Sequence, residues 1–169
     1  MAVNQHLSGA KLTTFSLEEL TKAALAQGFT AEGIVHRRGR CALHQRFLEG
    51  QFNWNTDVIK AVLVDTGTYT PNLSAHEFLA DIGAGSRIAA SAAFSGKTTL
   101  GGAADANDVT FSSVSGASIE AIVLYKDTGT EATSPLIAYI DTATGLPITP
   151  NGGDIIVTWD NGPNKIFKL

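Results

Sequence analysis

Val58-Ile59-Lys60-Ala61-Val62-Leu63-Val64 is a nearly continuous apolar run, broken by one lysine and rich in β-branched residues. Branching at Cβ suits the pleated surface of a sheet better than the crowded turn of a helix, so the run predicts a central strand. Downstream, Arg87 to Phe94 alternates, with Ile88, Ala90, Ala92 and Phe94 expected on one side. Val109-Thr110-Phe111, Ile119 to Tyr125, Leu136 to Ile140, Asp154 to Trp159 and Lys165 to Leu169 read as further strands, with Ile155, Val157 and Trp159 on one face. Between them stand Asp127-Thr128-Gly129-Thr130, Thr144-Gly145, Pro150-Asn151-Gly152-Gly153 and Asp160-Asn161-Gly162-Pro163, residues suited to tight turns. Many short strands joined by such turns predict a mainly β fold, a β-sandwich or jelly-roll-like module over residues 51–169. Val62, Phe111, Ile122 and Trp159 are expected in its core.

One short helix is expected to interrupt the strands. Leu73-Ser74-Ala75-His76-Glu77-Phe78 has Ser74 and Glu77 at capping-box spacing and Leu73 and Phe78 as the flanking staple. The same logic marks the start of the chain, where Phe15-Ser16-Leu17-Glu18-Glu19-Leu20 predicts a helix with Leu17, Leu20 and Ala24 on one face and Gly28 as its stop. A second helix is expected over Arg40–Glu49, with Leu43 and Phe47 spaced i, i+4 and Gly50 as its stop. Residues 1–50 thus read as a helical arm preceding the β module.

Charge follows the same division. The first 50 residues carry six basic and four acidic side chains, a net +2, while residues 51–169 carry six and twelve, a net −6. The whole chain sits at −4, so it lacks the overall basic field that nucleic acid attracts. Its single cysteine, Cys41, excludes an intramolecular disulfide framework and a cysteine-rich zinc site. No apolar run approaches the roughly 20 residues of a membrane span, and no charged leader followed by an apolar stretch opens the chain, so neither an anchor nor a signal peptide is expected. With 44% hydrophobic and only 17% charged residues, the chain can build a core and presents a sparsely charged surface.

Candidate chemistry is thin. Ser95-Gly96-Lys97-Thr98 imitates the end of a phosphate loop, but the earlier glycine is replaced by Ser91 and no helix start follows, so an exposed hairpin turn is expected. His6, His36, His44 and His76 have no histidine neighbour at helical spacing. Cys41 lies near Arg37, Arg38, Arg40 and His44, yet no oxyanion or third-residue pattern accompanies it. Asp105-Ala106-Asn107-Asp108 offers oxygen ligands without the turn glycine and distal glutamate of a calcium loop. No paired carboxylates stand out as an acid and base. The reading is therefore of a protein without catalysis, cofactor or metal. The one true charge cluster, His36-Arg37-Arg38-Gly39-Arg40, suits docking onto an acidic protein surface, and the absence of interleaved aromatic residues argues against nucleic acid.

Several stretches together resemble a known family. They are Arg46-Phe47-Leu48-Glu49-Gly50-Gln51-Phe52-Asn53-Trp54, Ile59 to Thr66, Tyr69-Thr70-Pro71-Asn72-Leu73, His76-Glu77-Phe78-Leu79, Asp108 to Phe111, Leu124 to Gly129, Leu136 to Asp141, and Gly152-Gly153-Asp154 with Val157-Thr158-Trp159-Asp160. Over about residues 41–169 the chain resembles small virion structural proteins of tailed bacteriophages. The resemblance implies a particle component with no catalytic residues. The expected role is a capsid decoration (cement) protein bracing coat subunits, with a tail, neck or baseplate adaptor as the alternative. The expected partners are the phage major capsid protein or other virion proteins and further copies of the chain, with no membrane. The expected location is the virion, after synthesis in the bacterial cytoplasm. Residues 1–40 fall outside the resemblance. Leu17, Leu20 and Phe47 with Arg37, Arg38 and Arg40 are the expected partner-binding residues, since short helices need a surface to pack on.

Overall fold

The computed structural model describes residues 46–169. The helix expected from Phe15 to Gly28, and most of that expected over Arg40–Glu49, lie outside the described residues. What is seen of the latter is its end. Residues 46–48 are helical, and Gly50 stands at φ +68°. The Gly50 N–H donates to the Phe47 carbonyl at 3.1 Å and the Gln51 N–H to the Arg46 carbonyl at 2.8 Å. This paired closure needs a left-handed residue at Gly50, so the expected glycine stop is present.

The described chain is mainly β. Its strands are β1 (Ile59–Val64), β2 (Arg87–Ala90), β3 (Ala103–Ala104), β4 (Val109–Phe111), β5 (Ala121–Lys126), β6 (Leu136–Ile140), β7 (Ile155–Val157) and β8 (Phe167–Lys168). Four form one sheet in the order β2-β1-β5-β6, and β3 pairs with β8 and β4 with β7 in two separate ladders. Every pairing is antiparallel. The run that suggested a central strand is central: β1 lies between β2 and β5, with Val62 opposite Val123.

Both faces of the four-stranded sheet are covered, which explains why β1 and β5 are apolar almost throughout. Ile59, Ala61, Leu63, Ile122 and Leu124 belong to an inner core with Phe52, Trp54, Phe94, Val109, Phe111 and Trp159. The two small ladders add Ala104, Ile155, Val157 and Phe167 to it. Val62, Val64, Ala121, Val123 and Tyr125 face the other way, beneath Tyr69, Leu79 and Ile82 of the connection between β1 and β2. The four residues expected in the core are buried there: Val62 2%, Phe111 2%, Ile122 4% and Trp159 7% exposed. Each such aliphatic or aromatic side chain contributes roughly 1.5–3 kcal/mol through water exclusion.

Two expectations are corrected. Residues 73–78 do not form a helix. Asn72 Oδ1 accepts from the N–H and the hydroxyl of Ser74, which occupies the intended cap and leaves a single turn. The Asp81 carboxylate then accepts the N–H groups of Glu77 at 2.8 Å and Phe78 at 2.9 Å, so a 3-10 turn forms one step later, at Leu79–Asp81. Asparagine and aspartate outcompeted the serine because both make short local bonds to main-chain N–H groups. The alternation from Arg87 to Phe94 also fails beyond Ile88. A register shift at Leu63/Val64 breaks the pleat, and Ala90 and Ala92 are exposed while Ser91 is buried. The Ser91 hydroxyl takes the Ala61 N–H at 2.9 Å in place of a carbonyl.

Candidate interaction surface

Five of the six expected partner-binding residues, Leu17, Leu20, Arg37, Arg38 and Arg40, lie outside the described residues, as do Cys41, His6, His36 and His44. Phe47 is described. It is half-buried and meets Phe52 edge to face, ring centroids 4.4 Å apart, at the margin of the inner core. Its neighbour Arg46 lies over the Phe78 ring at 5.1 Å and pairs with Glu77 at 3.2 Å. The segment on either side of residue 50 is therefore stitched to the β module by an aromatic pair and a cation.

The stretches that imitated chemistry serve the fold. Gly96 turns at φ +63°, and the hairpin closes through mutual bonds between Thr98 and Asp105. The Lys97 ammonium is turned onto the carbonyl of Asp57, and burial pushes its pKa down. Asp105 takes the Ala106 N–H and pairs with Lys165 at 3.2 Å, while Asp108 accepts the Trp159 N–H at 3.1 Å. Those two carboxylates thus hold separate segments. His76 Nδ1 accepts the Asn72 N–H at 3.3 Å and shares a hydrogen bond with the Tyr69 hydroxyl at 2.6 Å. Among the described residues, no three His, Cys, Asp or Glu side chains gather to hold a metal ion, and no helix is long and apolar enough to cross a membrane.

Ion pairing leaves this module with surplus negative charge. Arg46, Lys60, Arg87, Lys126 and Lys165 each pair with a carboxylate of the same module. In the pair of Lys60 with Asp127, at 2.6 Å, the hydrogen bond raises the lysine pKa and lowers that of the aspartate. Around Tyr139 burial dominates, Asp141 and Glu120 add repulsion, and the phenol is pushed up to about 12.

The outer face of the sheet also carries a groove of about 340 Å³ along strand β2. Val62, Leu79, Ala90 and Tyr125 line it, and Arg87 and Glu131 close one side. The Arg87 guanidinium grips the Glu131 carboxylate through both terminal nitrogens, at 2.7 and 2.8 Å, which holds the Glu131 carboxyl below its usual range. Its Nε–H stays buried without an acceptor. Burial likewise pushes the Tyr125 phenol up. Sequence reading missed the groove because Val62, Leu79, Arg87, Tyr125 and Glu131, which line it, lie far apart in the chain.

The chain matches no model of a known protein family, and no curated protein is found as its relative.

Proposed function

We propose that this chain is a structural component of a tailed-phage particle, a decoration protein that sits on the head and braces coat subunits. The likeness of residues 41–169 to small virion proteins motivates this reading. The observation that carries it is how the module's side chains are engaged: its charged and polar groups hold turns, strand ends and ion pairs within the fold. Such a module offers complementary surface rather than chemistry. In this reading the four-stranded sheet, faced by the β3–β8 and β4–β7 ladders, forms a sandwich-like body. Residues 1–50 supply the anchor, with Arg37, Arg38 and Arg40 opposite carboxylates of the coat.

The test is binding of purified protein to particles that lack it. The intact chain is expected to decorate them, and a chain without residues 1–40 is expected to fold and fail to bind. Equal binding by the truncated chain moves the anchor into the β module. No binding by either chain refutes the decoration reading.

A further inference from the structure

The sequence holds two Asn-Gly pairs, Asn151-Gly152 and Asn161-Gly162, each inside a stretch suited to a tight turn. This dipeptide has a chemistry of its own. The main-chain nitrogen of the glycine can attack the side-chain Cγ of the asparagine, because glycine carries no β-carbon to hinder the approach. Attack requires two freedoms. The glycine N–H must be released from its acceptor, and the asparagine side chain must turn back onto that nitrogen. None of the four residues is buried, so exposure does not separate the pairs. Hydrogen bonding does.

At the first pair both freedoms are withheld. Gly152 donates its N–H to the Val114 carbonyl at 2.8 Å, and Val114 returns its own N–H to the Gly153 carbonyl at 2.8 Å. Val114 belongs to the inner core and is 3% exposed. Asn151 Oδ1 accepts the Gly153 N–H at 3.0 Å. Freeing Gly152 therefore means lifting the turn off a core residue, a local opening of the fold. At the second pair the Gly162 N–H is held by the side chain of Asp160, at 3.0 Å. Asp160 is exposed, so its carboxylate can swing into water while the main chain stays in place. The Asn161 amide meets no partner among the described residues. The bond from the Lys165 N–H to the Gly162 carbonyl is long, at 3.4 Å, and does not involve the nitrogen.

We propose that Asn161 is a site of self-modification in the folded protein: it deamidates through a cyclic imide, while the fold protects Asn151. The Gly162 nitrogen loses its proton and bonds to Asn161 Cγ. The Cγ–N bond of the side-chain amide breaks, and the displaced nitrogen leaves with that proton as ammonia. Water then opens the ring. Opening at the main-chain carbonyl gives isoaspartate, with the chain running through the former side chain; opening at the other carbonyl gives aspartate. Water is the sole co-reactant. The product carries one more negative charge beside Asp160, and the iso form adds one methylene to the main chain between Trp159 and β8. The inference stands apart from the virion reading, and its test needs no particle.

The full chain is held at mildly alkaline pH and body temperature beside a sample unfolded in urea, and peptides of both are sequenced by mass spectrometry over time. Conversion reads as a gain of one mass unit at the asparagine, and isoaspartate is told from aspartate by its separate elution. In the folded chain Asn161 is expected to convert at least about tenfold faster than Asn151, because the bonds that hold Gly152 and Asn151 must first break. In urea the two rates are expected to draw together, since both pairs then present the same dipeptide. Asn161→Gln, whose longer side chain disfavours the five-membered ring, is expected to keep its mass over the same period, with circular dichroism checking its fold. Asn161 intact in the folded chain, Asn151 converting as fast, a gap that survives urea unchanged, or aspartate formed without isoaspartate each overturns the proposal.

Discussion

Replacing Trp159 by alanine tests how the inner core is built. The indole is 7% exposed, lies 5.6 Å from the Phe94 ring, and donates its Nε1–H to the Asn107 carbonyl at 3.2 Å. Asn107 is exposed, so its carbonyl finds water when the indole is gone and the lost hydrogen bond adds little. The cost is therefore that of an aromatic truncation in a packed core, about 3–5 kcal/mol. Each kcal/mol moves the melting point of a domain of this size by about 3–5 °C, so the variant is expected to melt about 10–20 °C below the wild type. Calorimetry of both proteins measures it. Ile156→Ser, two residues away and facing solvent, serves as the control and is expected to change stability by no more than about 0.5 kcal/mol at protein concentrations where the chain is monomeric. A Trp159→Ala melting point within about 2 °C of the wild type would refute the assignment of Trp159 to the inner core.

Other expectations follow from local geometry. All three tyrosines, Tyr69, Tyr125 and Tyr139, have raised pKa values, chiefly through burial. Absorbance titration should show native phenolate forming above the ordinary value of about 10, with Tyr139 ionising at about 12. Because the folded state holds these protons more tightly, their contribution to stability is complete below the unfolded value and is lost as pH rises through the folded one. Asp127 and Asp81 behave in the opposite sense. Lys60 lowers the first, and the N–H groups of Phe78 and Glu77 lower the second. Their contribution is complete above the unfolded carboxylate range and lost as pH falls through the lower folded values. The urea midpoint should accordingly fall on acidification into that range, and fall less in Asp127→Asn. Gly96 sits at φ +63°, and a β-carbon there would stand 2.4 Å from Asn107 Oδ1; Gly96→Ala should cost at least the roughly 1–2 kcal/mol of a left-handed alanine, read as a shifted urea midpoint.

Local pattern carried the fold where each strand is buried in its own right. β1 and β5 were legible because apolar residues fill both of their faces, and Gly50 because a helix stop needs a left-handed residue. β3 was not legible, since Gly101-Gly102-Ala103-Ala104 has no period and becomes a strand only by meeting β8. The helix expected at residues 73–78 failed because Asn72 and Asp81, just outside the motif, hold the main-chain groups that the motif required. The groove beside β2 was illegible for a similar reason: its walls come from four separate segments of the chain. Of the expected partner-binding residues, Phe47 alone falls within the described chain, where it packs on Phe52.

The proposed function places this chain on the outside of a phage head. Imaging of purified particles with the protein labelled at its C-terminus, where Leu169 is more than half exposed, tests it most directly. The account predicts label repeated over the head in register with the coat lattice. Label confined to a single ring at one vertex, or particles that contain none of the chain, would contradict it.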